Sequence, residues 1–370
     1  MPNRVVVTGM GWITPLGDDI DSVWRRLLAG DSGIGETNLF DASTFPTQFS
    51  SQVKDFDLGN YLGGDADRHA GASRNSQFAL AAAQQAWAHS GVADWMSLNP
   101  ARVGIYIGGG EGPLDFTNFV QAIVDGWRAG DDRLDTVAWG KTAMEKLDRS
   151  REFEQEPNLA ASHLAVQFNA AGPNFNTLTA CAASTQAIGE ATSIIRRGDA
   201  DLMISGGTHS MIHPLGVTGF NRLTALSTRN DSRDTASRPF DRSRDGFVLG
   251  EGAGIVILEA LDHARQRGAT ILAEIVGYGS TADAFRVTDI HEEGRGPVAT
   301  MCGALAEAGM TPAEIDYISA HGTGTAENDK IETLAIKKVF GEHAGTTPIS
   351  SIKSMLGHLI AAAGVVELIA

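Results

Sequence analysis

The sequence has few cysteines, fewer basic than acidic residues and no long hydrophobic run. Cys181 and Cys302 are too few for a disulfide framework or a thiolate metal cage, so we expect a reduced, cytoplasmic protein. Lys and Arg number 29 against 45 Asp and Glu, a net charge of −16, whereas nucleic-acid and anionic-membrane binding need a basic face. No run approaches the roughly 18 apolar residues of a spanning helix. We therefore expect neither a nucleic acid nor a membrane as partner.

Short β-branched runs alternate along the chain with alanine-rich segments, a pattern that is typical of an α/β fold. The 43 glycines follow no three-residue period, which excludes a collagen-like chain and favours tight turns. The alternation predicts strands over 4–8, 103–107, 176–179, 202–205, 254–258, 271–276, 317–319 and 348–350. It predicts helices over 20–29, 73–90, 182–197, 298–308, 329–340 and 357–370.

The order of these predicted elements repeats once along the chain. Residues 1–260 and 261–370 each contain strands, helices and one sharp strand–turn–helix unit, so we predict a duplicated fold with two halves at those bounds. The first half continues with two strands after that unit, whereas the second half stops within its helix. The repeat therefore predicts that the second half lacks a strand pair of on the order of 40 residues.

Cys181 lies where a predicted strand turns sharply into an alanine-rich helix. Unpaired N–H groups and the positive end of the helix dipole lower the pKa of a thiol in that position, and the same N–H groups can hold an oxyanion. The position makes Cys181 a candidate nucleophile, with a small buried hydrophobe as the alternative. Cys302 lies in the middle of a predicted amphipathic helix, where we expect a core residue.

Two histidines occupy related positions in the second half. His321 directly follows a predicted strand, and His358 lies in the second strand–turn–helix unit, which corresponds to the Cys181 turn in the first half. Because a duplicated fold would bring both turns to one centre, we expect these side chains to converge there. Each histidine alone is more often structural than functional.

Other motifs predict no metal or phosphate site. His209 and His213 are four residues apart but lie between Gly207 and Pro214, where we expect a loop, and they lack the pattern of a zinc-binding helix. The glycine-rich run over 108–112 lacks the Lys-Ser/Thr of a phosphate-binding loop. We predict no metal centre.

Five stretches together resemble the elongating β-ketoacyl-acyl carrier protein synthases. These stretches are TLTACAASTQAIGEA, GVTGFNRLTALSTRND, ASRPFDRSRDGFVLGEGAG, SAHGTGTAENDKIETLAIKKVFG and SSIKSMLGHLIAAAG. The resemblance extends from Val5 to Ala370. It implies a duplicated, thiolase-like αβαβα layered fold, with an insertion around 113–160, a loop over 208–250 and an incomplete second half.

The resemblance also implies which residues form the site. The implied catalytic residues are Cys181, as the acyl-accepting nucleophile, with His321, His358 and Lys353. The implied supporting residues are Glu367, as the partner of Lys353, and Asp329. The implied substrate-binding residues are Thr323, Thr325, Thr288, Phe220 and Glu111. Glu111 stands where the family usually has an apolar pocket residue, and since a carboxylate facing an acyl chain is costly, a shortened or polar pocket is expected.

The implied activity is a decarboxylative Claisen condensation in fatty-acid or polyketide synthesis. An acyl chain held on Cys181 would be extended by malonyl-acyl carrier protein, with phosphopantetheine as the carrier group and no separate cofactor. The implied partners are an acyl carrier protein and a second copy of the chain. Two alternatives of the same family are a polyketide ketosynthase and a catalytically impaired, chain-length-factor-like partner. A degradative thiolase would use a second, later cysteine as base, and no cysteine follows Cys302.

Overall fold

The computed structural model describes residues 3–95, 97–110, 112, 114–286 and 289–370, so Glu111 and Thr288 lie outside the described residues. The strands in the described part are β1 (Val5–Ile13), β2 (Ile34–Glu36), β3 (Phe49–Ser51), β4 (Val103–Gly109), β5 (Trp127–Arg128), β6 (Arg133–Leu134), β7 (Asn174–Thr177), β8 (Leu202–His209), β9 (Gly252–Ala260), β10 (Ala273–Glu274), β11 (Ile318–Ser319) and β12 (Ile349–Ser350). The α-helices there are α1 (Ile20–Ala29), α2 (Gly59–Leu62), α3 (Arg74–Ser90), α4 (Phe116–Gly126), α5 (Thr136–Lys146), α6 (Arg149–Phe153), α7 (Leu159–Phe168), α8 (Ala183–Arg197), α9 (Pro214–Arg222), α10 (Leu261–Gln266), α11 (Arg295–Ala308), α12 (Ala326–Phe340), α13 (Lys353–Leu356) and α14 (Ala363–Ile369).

A six-stranded mixed sheet forms the centre of the molecule, in the order β10-β1-β9-β8-β4-β7. Strands β7 and β8 pair with β4 in parallel, whereas β9 pairs with β8 and β1 in antiparallel fashion. Strands β11 and β12 form a separate parallel pair. Strand β8 is buried along its whole length because helices cover both faces of the sheet.

Helix α3 packs closely on one face because small residues meet there. Its buried side includes Ala79, the alanines at 81–83 and Ala86, and a Cβ atom added at Gly9 of β1 would clash with the Ala86 carbonyl oxygen. Helix α8 covers the opposite face in the same way, since a Cβ at Gly108 would lie 2.5 Å from the backbone nitrogen of Ser184. This close fit fixes the N-terminus of α8, and with it Cys181, against the end of β4.

The predicted strands all overlap observed ones, but two regions differ from the expectation. The strand predicted over 271–276 opens no second sheet, because β10 pairs with β1 and Glu274 forms an ion pair with Arg4. The helix predicted over 357–370 is interrupted, because Gly357 at φ +68° and Ile360 at φ +42° break it before α14 begins at Ala363.

Three smaller expectations also need correction. Cys302 is exposed rather than in the core, since only Gly296 of helix α11 is buried among the described residues. His209 is the last residue of β8, and His213 caps α9, so neither lies in a plain loop. The segment over 208–250 is not a loop throughout, since it contains helix α9. The segment over 113–160, which stays a predicted insertion, folds largely into α4, the β5–β6 hairpin, α5 and α6.

Within the described ranges, every helix falls short of the length and apolar character needed to cross a membrane.

Candidate active site

Cys181 is presented by a strained turn between β7 and α8. The 3-10 helix Ala180–Ala182 joins the two elements, and Ala180 has a φ of +48°, which is rare for a residue with a Cβ atom. Such strain persists where the surrounding structure holds it, and it occurs often at active sites. The turn places the Cys181 sulfur at the end of α8, half-buried against the second half of the chain.

His358 reaches the Cys181 sulfur from the interrupted segment between α13 and α14. Its backbone N–H donates to the Val248 carbonyl at 2.7 Å, and its Nε2 lies 2.9 Å from the Cys181 Sγ. The backbone N–H of Ile360 donates to His358 Nδ1 at 3.1 Å. Because Nδ1 accepts this bond, the proton of the neutral ring is on Nε2, which is the nitrogen that faces the sulfur.

His321 stands beside His358 and is held in the same way. The centroids of the two rings are 5.3 Å apart, and the ring planes meet at an angle of 84°. Lys353 Nζ lies 3.3 Å from His321 Nδ1. Since an ammonium group only donates, Nδ1 of His321 accepts, and its proton is also on Nε2. The Cys181 sulfur and one nitrogen of each histidine lie within 4.8 Å of one another, so the three predicted side chains do converge.

Lys353 and Glu367 form a buried ion pair beneath the histidines. Lys353 is 2% exposed, pairs with Glu367 on α14 and donates to the His321 carbonyl oxygen at 2.7 Å. Burial raises the pKa of Glu367, although the nearby Lys353 opposes the rise. The pair therefore fixes both the ring and the backbone of His321.

The charge state of the site is set by burial. Burial lowers the pKa of His321 and of His358 well below its usual range, and Lys353 lowers both further, so the rings are neutral. Burial raises the pKa of the Cys181 thiol, and the opposing effect of Lys353 is smaller. The sequence-based expectation of a lowered thiol pKa was wrong, because the loss of solvent outweighs both Lys353 and the backbone hydrogen bond that lower it.

Glu332 is a site residue that the sequence analysis missed. Its two carboxylate oxygens accept from the backbone N–H groups of His321, at 2.6 Å, and Gly322, at 2.8 Å. Asp329, one turn earlier on α12, accepts from the N–H groups of Phe240 and Gly324 at 2.6 and 3.2 Å. The three-residue spacing of these two acids, directly after the HGTGT motif, is the signal that could have revealed Glu332.

The two threonines of the HGTGT motif point at each other. Their hydroxyl oxygens are 2.9 Å apart, and Thr325 also caps α12 by accepting from the Asn328 N–H. Thr323 is buried. The pair thus has a structural role in the turn that follows β11, next to His321.

An apolar cluster adjoins the Cys181 sulfur. Phe220 contacts Phe247 edge-to-face at 5.5 Å, and Phe247 contacts His358 at 5.1 Å. The other members of this cluster are Ile212, Val217, Leu226, Leu249 and Ile360. A cysteine sulfur next to an apolar wall is suited to a substrate with a hydrocarbon portion.

Comparison with known families decides the identity of this site. The model of the beta-ketoacyl synthase N-terminal domain matches residues 2–264, and that of the C-terminal domain matches residues 272–370. The chain belongs to the beta-ketoacyl synthase family. This result confirms the prediction of a 3-oxoacyl-acyl carrier protein synthase, a condensing acyltransferase.

Relatives and solved structures agree with the family. The chain is 41% identical over 364 residues to the 3-oxoacyl-[acyl-carrier-protein] synthase 2 of Coxiella burnetii, covering 98% of this chain and 84% of the relative. It is 41% identical over 369 residues to that of Vibrio cholerae, at 99% and 84% coverage. A beta-ketoacyl synthase from Burkholderia phymatum superposes with a TM-score of 0.86 at 31% identity, covering 99% of this chain and 85% of the other.

A second solved structure shows a relative with a carrier protein. It contains a type II polyketide acyl-carrier protein in complex with its ketosynthase, superposes with a TM-score of 0.83 at 33% identity, and covers 100% of this chain and 85% of the other. The synthase described here therefore has the thiolase-like α/β fold of the ketosynthases.

The raised pKa of Cys181 predicts how the synthase reacts with alkylating agents. Because only the thiolate reacts, alkylation of Cys181 by iodoacetamide is expected to rise by roughly tenfold per pH unit from about pH 6 to pH 8. The measurement is the alkylation rate in the Cys302→Ala variant, which removes the exposed second thiol. A rate that is constant over this range would mean that the thiolate is already formed, against the effect of burial.

The side chains of Cys181, His321 and His358 are also of the types that bind a metal ion. A sulfur and two neutral imidazoles within 4.8 Å are ligands that suit a thiophilic ion such as zinc. In the described structure they are used otherwise, since His358 bonds directly to the sulfur.

Proposed function

We propose that Cys181 carries the growing acyl chain and that His321 and His358 stabilise the enolate formed from malonyl-acyl carrier protein. The observation that carries this proposal is the tautomer of both rings. A backbone N–H donates to Nδ1 of His358 and an ammonium group donates to Nδ1 of His321, so each ring carries its proton on Nε2. Nε2 of His358 lies against the sulfur. Two N–H donors in a site with little solvent are suited to a developing negative oxygen.

The first step transfers the acyl chain. The Cys181 sulfur attacks the thioester carbonyl of the acyl-carrier protein, the carbon–sulfur bond to the carrier breaks, and the thiol proton ends on the released carrier thiol. The apolar cluster with Phe220 and Phe247 receives the hydrocarbon chain. Its burial supplies binding energy of about 0.8 kcal/mol for each methylene group.

The second step forms the carbon–carbon bond. The malonyl carboxylate leaves as CO2, and the electron pair of the broken bond moves into an enolate whose oxygen accepts from the two Nε2–H groups. The enolate carbon then attacks the Cys181 thioester, and the freed thiolate takes up a proton from solvent. Lys353, Glu367 and Glu332 act through His321, because they hold its ring and backbone in place.

The experiment that tests this function is direct product analysis. The purified protein should convert an acyl-acyl carrier protein and malonyl-acyl carrier protein into CO2 and a 3-oxoacyl chain longer by two carbons. A chain-length-factor-like partner would give no product alone. A degradative thiolase would instead cleave a 3-oxoacyl thioester when a free thiol is supplied.

Polyketide extension is the second candidate, and a structural neighbour favours it. The ketosynthase with a TM-score of 0.83 is described as bound to a hexaketide. In either pathway, the phosphopantetheine arm would be bound by Thr323 and Thr325 of the turn next to His321. Phe220 would line the acyl pocket. Glu111 and Thr288 keep their proposed roles as substrate-binding residues.

We also propose that the chain divides near residue 260 into two thiolase-like halves, with the parallel pair β11 and β12 in the second half. The separate family matches on either side of residues 265–271 support this division.

A cysteine nucleophile must stay reduced, which suits the cytoplasm. Docking of an acidic carrier protein needs a local basic patch, for which the exposed Arg222 at the end of α9 is suited.

A homodimer through β7 completes the proposed assembly. Strand β7 ends the six-stranded sheet, Phe175 on it is 50% exposed, and an unpaired edge of this kind favours pairing with another strand. Phe175→Arg is expected to shift the mass measured by light scattering from dimer to monomer. Leu28→Arg, an equally drastic change at a residue 69% exposed on α1, is the control and should stay dimeric. A monomeric parent protein would contradict the proposal.

A further inference from the structure

His209 is a buried histidine that the proposed reaction does not use. It is the last residue of β8, is 2% exposed and lies over the end of β4, where a Cβ atom added at Gly110 would be 2.6 Å from its Nδ1. Among the described residues, neither ring nitrogen of His209 has a hydrogen-bond partner. A buried donor or acceptor without a partner costs about 1–3 kcal/mol, so the orphaned ring needs an explanation.

Other histidines in the same fold do have hydrogen-bond partners for their ring nitrogens. His69 bonds to His163 and Gln167, and His263 bonds to Glu259. His213 accepts from the backbone N–H of Gly216. Burial also lowers the pKa of His209 to about 3, so its ring is neutral and offers one N–H donor and one acceptor nitrogen.

His209 lies on the face of the sheet that carries the active site. Side chains alternate along β8, so His209 shares a face with Gly207, where an added Cβ would lie 2.7 Å from the Ser184 Cβ on α8. Helix α8 follows directly after Cys181. The electrostatic interaction with His209 also lowers the pKa of His358, which bonds to the Cys181 sulfur.

The chain after His209 forms the apolar wall beside the nucleophile. Ile212, Val217 and Phe220 belong to the cluster that includes Cys181. His209 is therefore a polar group at the base of the segment that lines the proposed acyl pocket.

We propose that His209 selects acyl chains that carry an oxygen substituent, a hydroxyl or keto group, over saturated chains of the same length. This inference rests on the acyl pocket of the proposed function. The substituent oxygen accepts from the His209 N–H, and a hydroxyl group alternatively donates to the other ring nitrogen. A saturated chain leaves the ring without a partner and displaces any water that reached it. One neutral hydrogen bond in a dry pocket corresponds to a preference of roughly tenfold.

The test compares two acyl pantetheines that differ only in one oxygen. Octanoyl pantetheine and a set of hydroxyoctanoyl pantetheines, with the hydroxyl moved along the chain, are loaded onto the protein, and the rate is followed by intact mass. At least one hydroxy isomer should load about tenfold faster than the saturated chain. His209→Leu should remove this preference, and His209→Gln, which keeps a donor and an acceptor, should retain most of it.

Equilibrium binding to a variant without the Cys181 thiol tests this inference separately from the role of Cys181. Equilibrium binding of the same compounds to Cys181→Ala should show the same preference, and the double variant Cys181→Ala/His209→Leu should lose it. An equal affinity of Cys181→Ala for all isomers and the saturated chain would overturn the proposal, as would an unchanged preference in the double variant. Unchanged loading of Cys181→Ala would instead contradict the nucleophilic role of the cysteine.

Discussion

Cys181→Ala is expected to lower the rate of condensation by at least about 10³-fold, because loss of a catalytic nucleophile has effects of this size or larger. The variant keeps the strained turn and the helix that follows it, since alanine already occupies positions 180, 182 and 183. Its thermal unfolding midpoint should therefore stay close to that of the parent. The measurement is formation of the 3-oxoacyl product from the two carrier-bound substrates.

The matched control is the other cysteine of the chain. Cys302 is exposed on α11, so Cys302→Ala should leave the condensation rate within about twofold, as is usual for surface substitutions. If both variants lost activity equally, or if Cys181→Ala kept most of it, the assignment of the nucleophile would be wrong.

Lys353→Met is expected to have the largest effect on stability. It removes the partner of Glu367 and leaves a buried carboxylate, which costs about 3–5 kcal/mol in the free energy of unfolding. It also removes the donor to Nδ1 of His321, so the ring is no longer restricted to one tautomer and condensation should slow as well. Urea unfolding measures the first effect, and product formation measures the second.

A double variant separates the two effects of Lys353. Lys353→Met/Glu367→Leu removes both charges, and replacing a buried pair by apolar residues is often neutral, so most of the lost stability should return. Condensation should stay slow, because His321 still lacks its donor. Recovery of activity together with stability would show that Lys353 supports only the fold.

The sequence predicted the convergence of the site better than its chemistry. Cys181, His321 and His358 lie in turns that local patterns reveal, and a duplicated order of elements places both turns at one centre. Their roles come from the family resemblance and stay predictions. The direction of the Cys181 pKa could not be predicted, because burial of that sulfur depends on Phe247, Leu249 and other residues far away in the chain.

The same limit explains the other errors. Glu332 lies eleven residues after His321, and only the fold of α12 brings its carboxylate to the backbone of the turn. Local pattern suggested a core position for Cys302, but whether a helix face is covered depends on which neighbours pack against it. His209 was assigned to a loop because Gly207 suggested a turn, whereas that glycine serves the close approach of α8 to β8.

The acyl-enzyme intermediate tests the central claim most directly. The protein is incubated with an acyl-acyl carrier protein without malonyl donor, digested, and its peptides are weighed by mass spectrometry. The account predicts one added acyl group, on the peptide that contains Cys181, and its disappearance when malonyl-acyl carrier protein is added. An acyl group on the Cys302 peptide, or a turnover-competent enzyme without any acylated peptide, would contradict it.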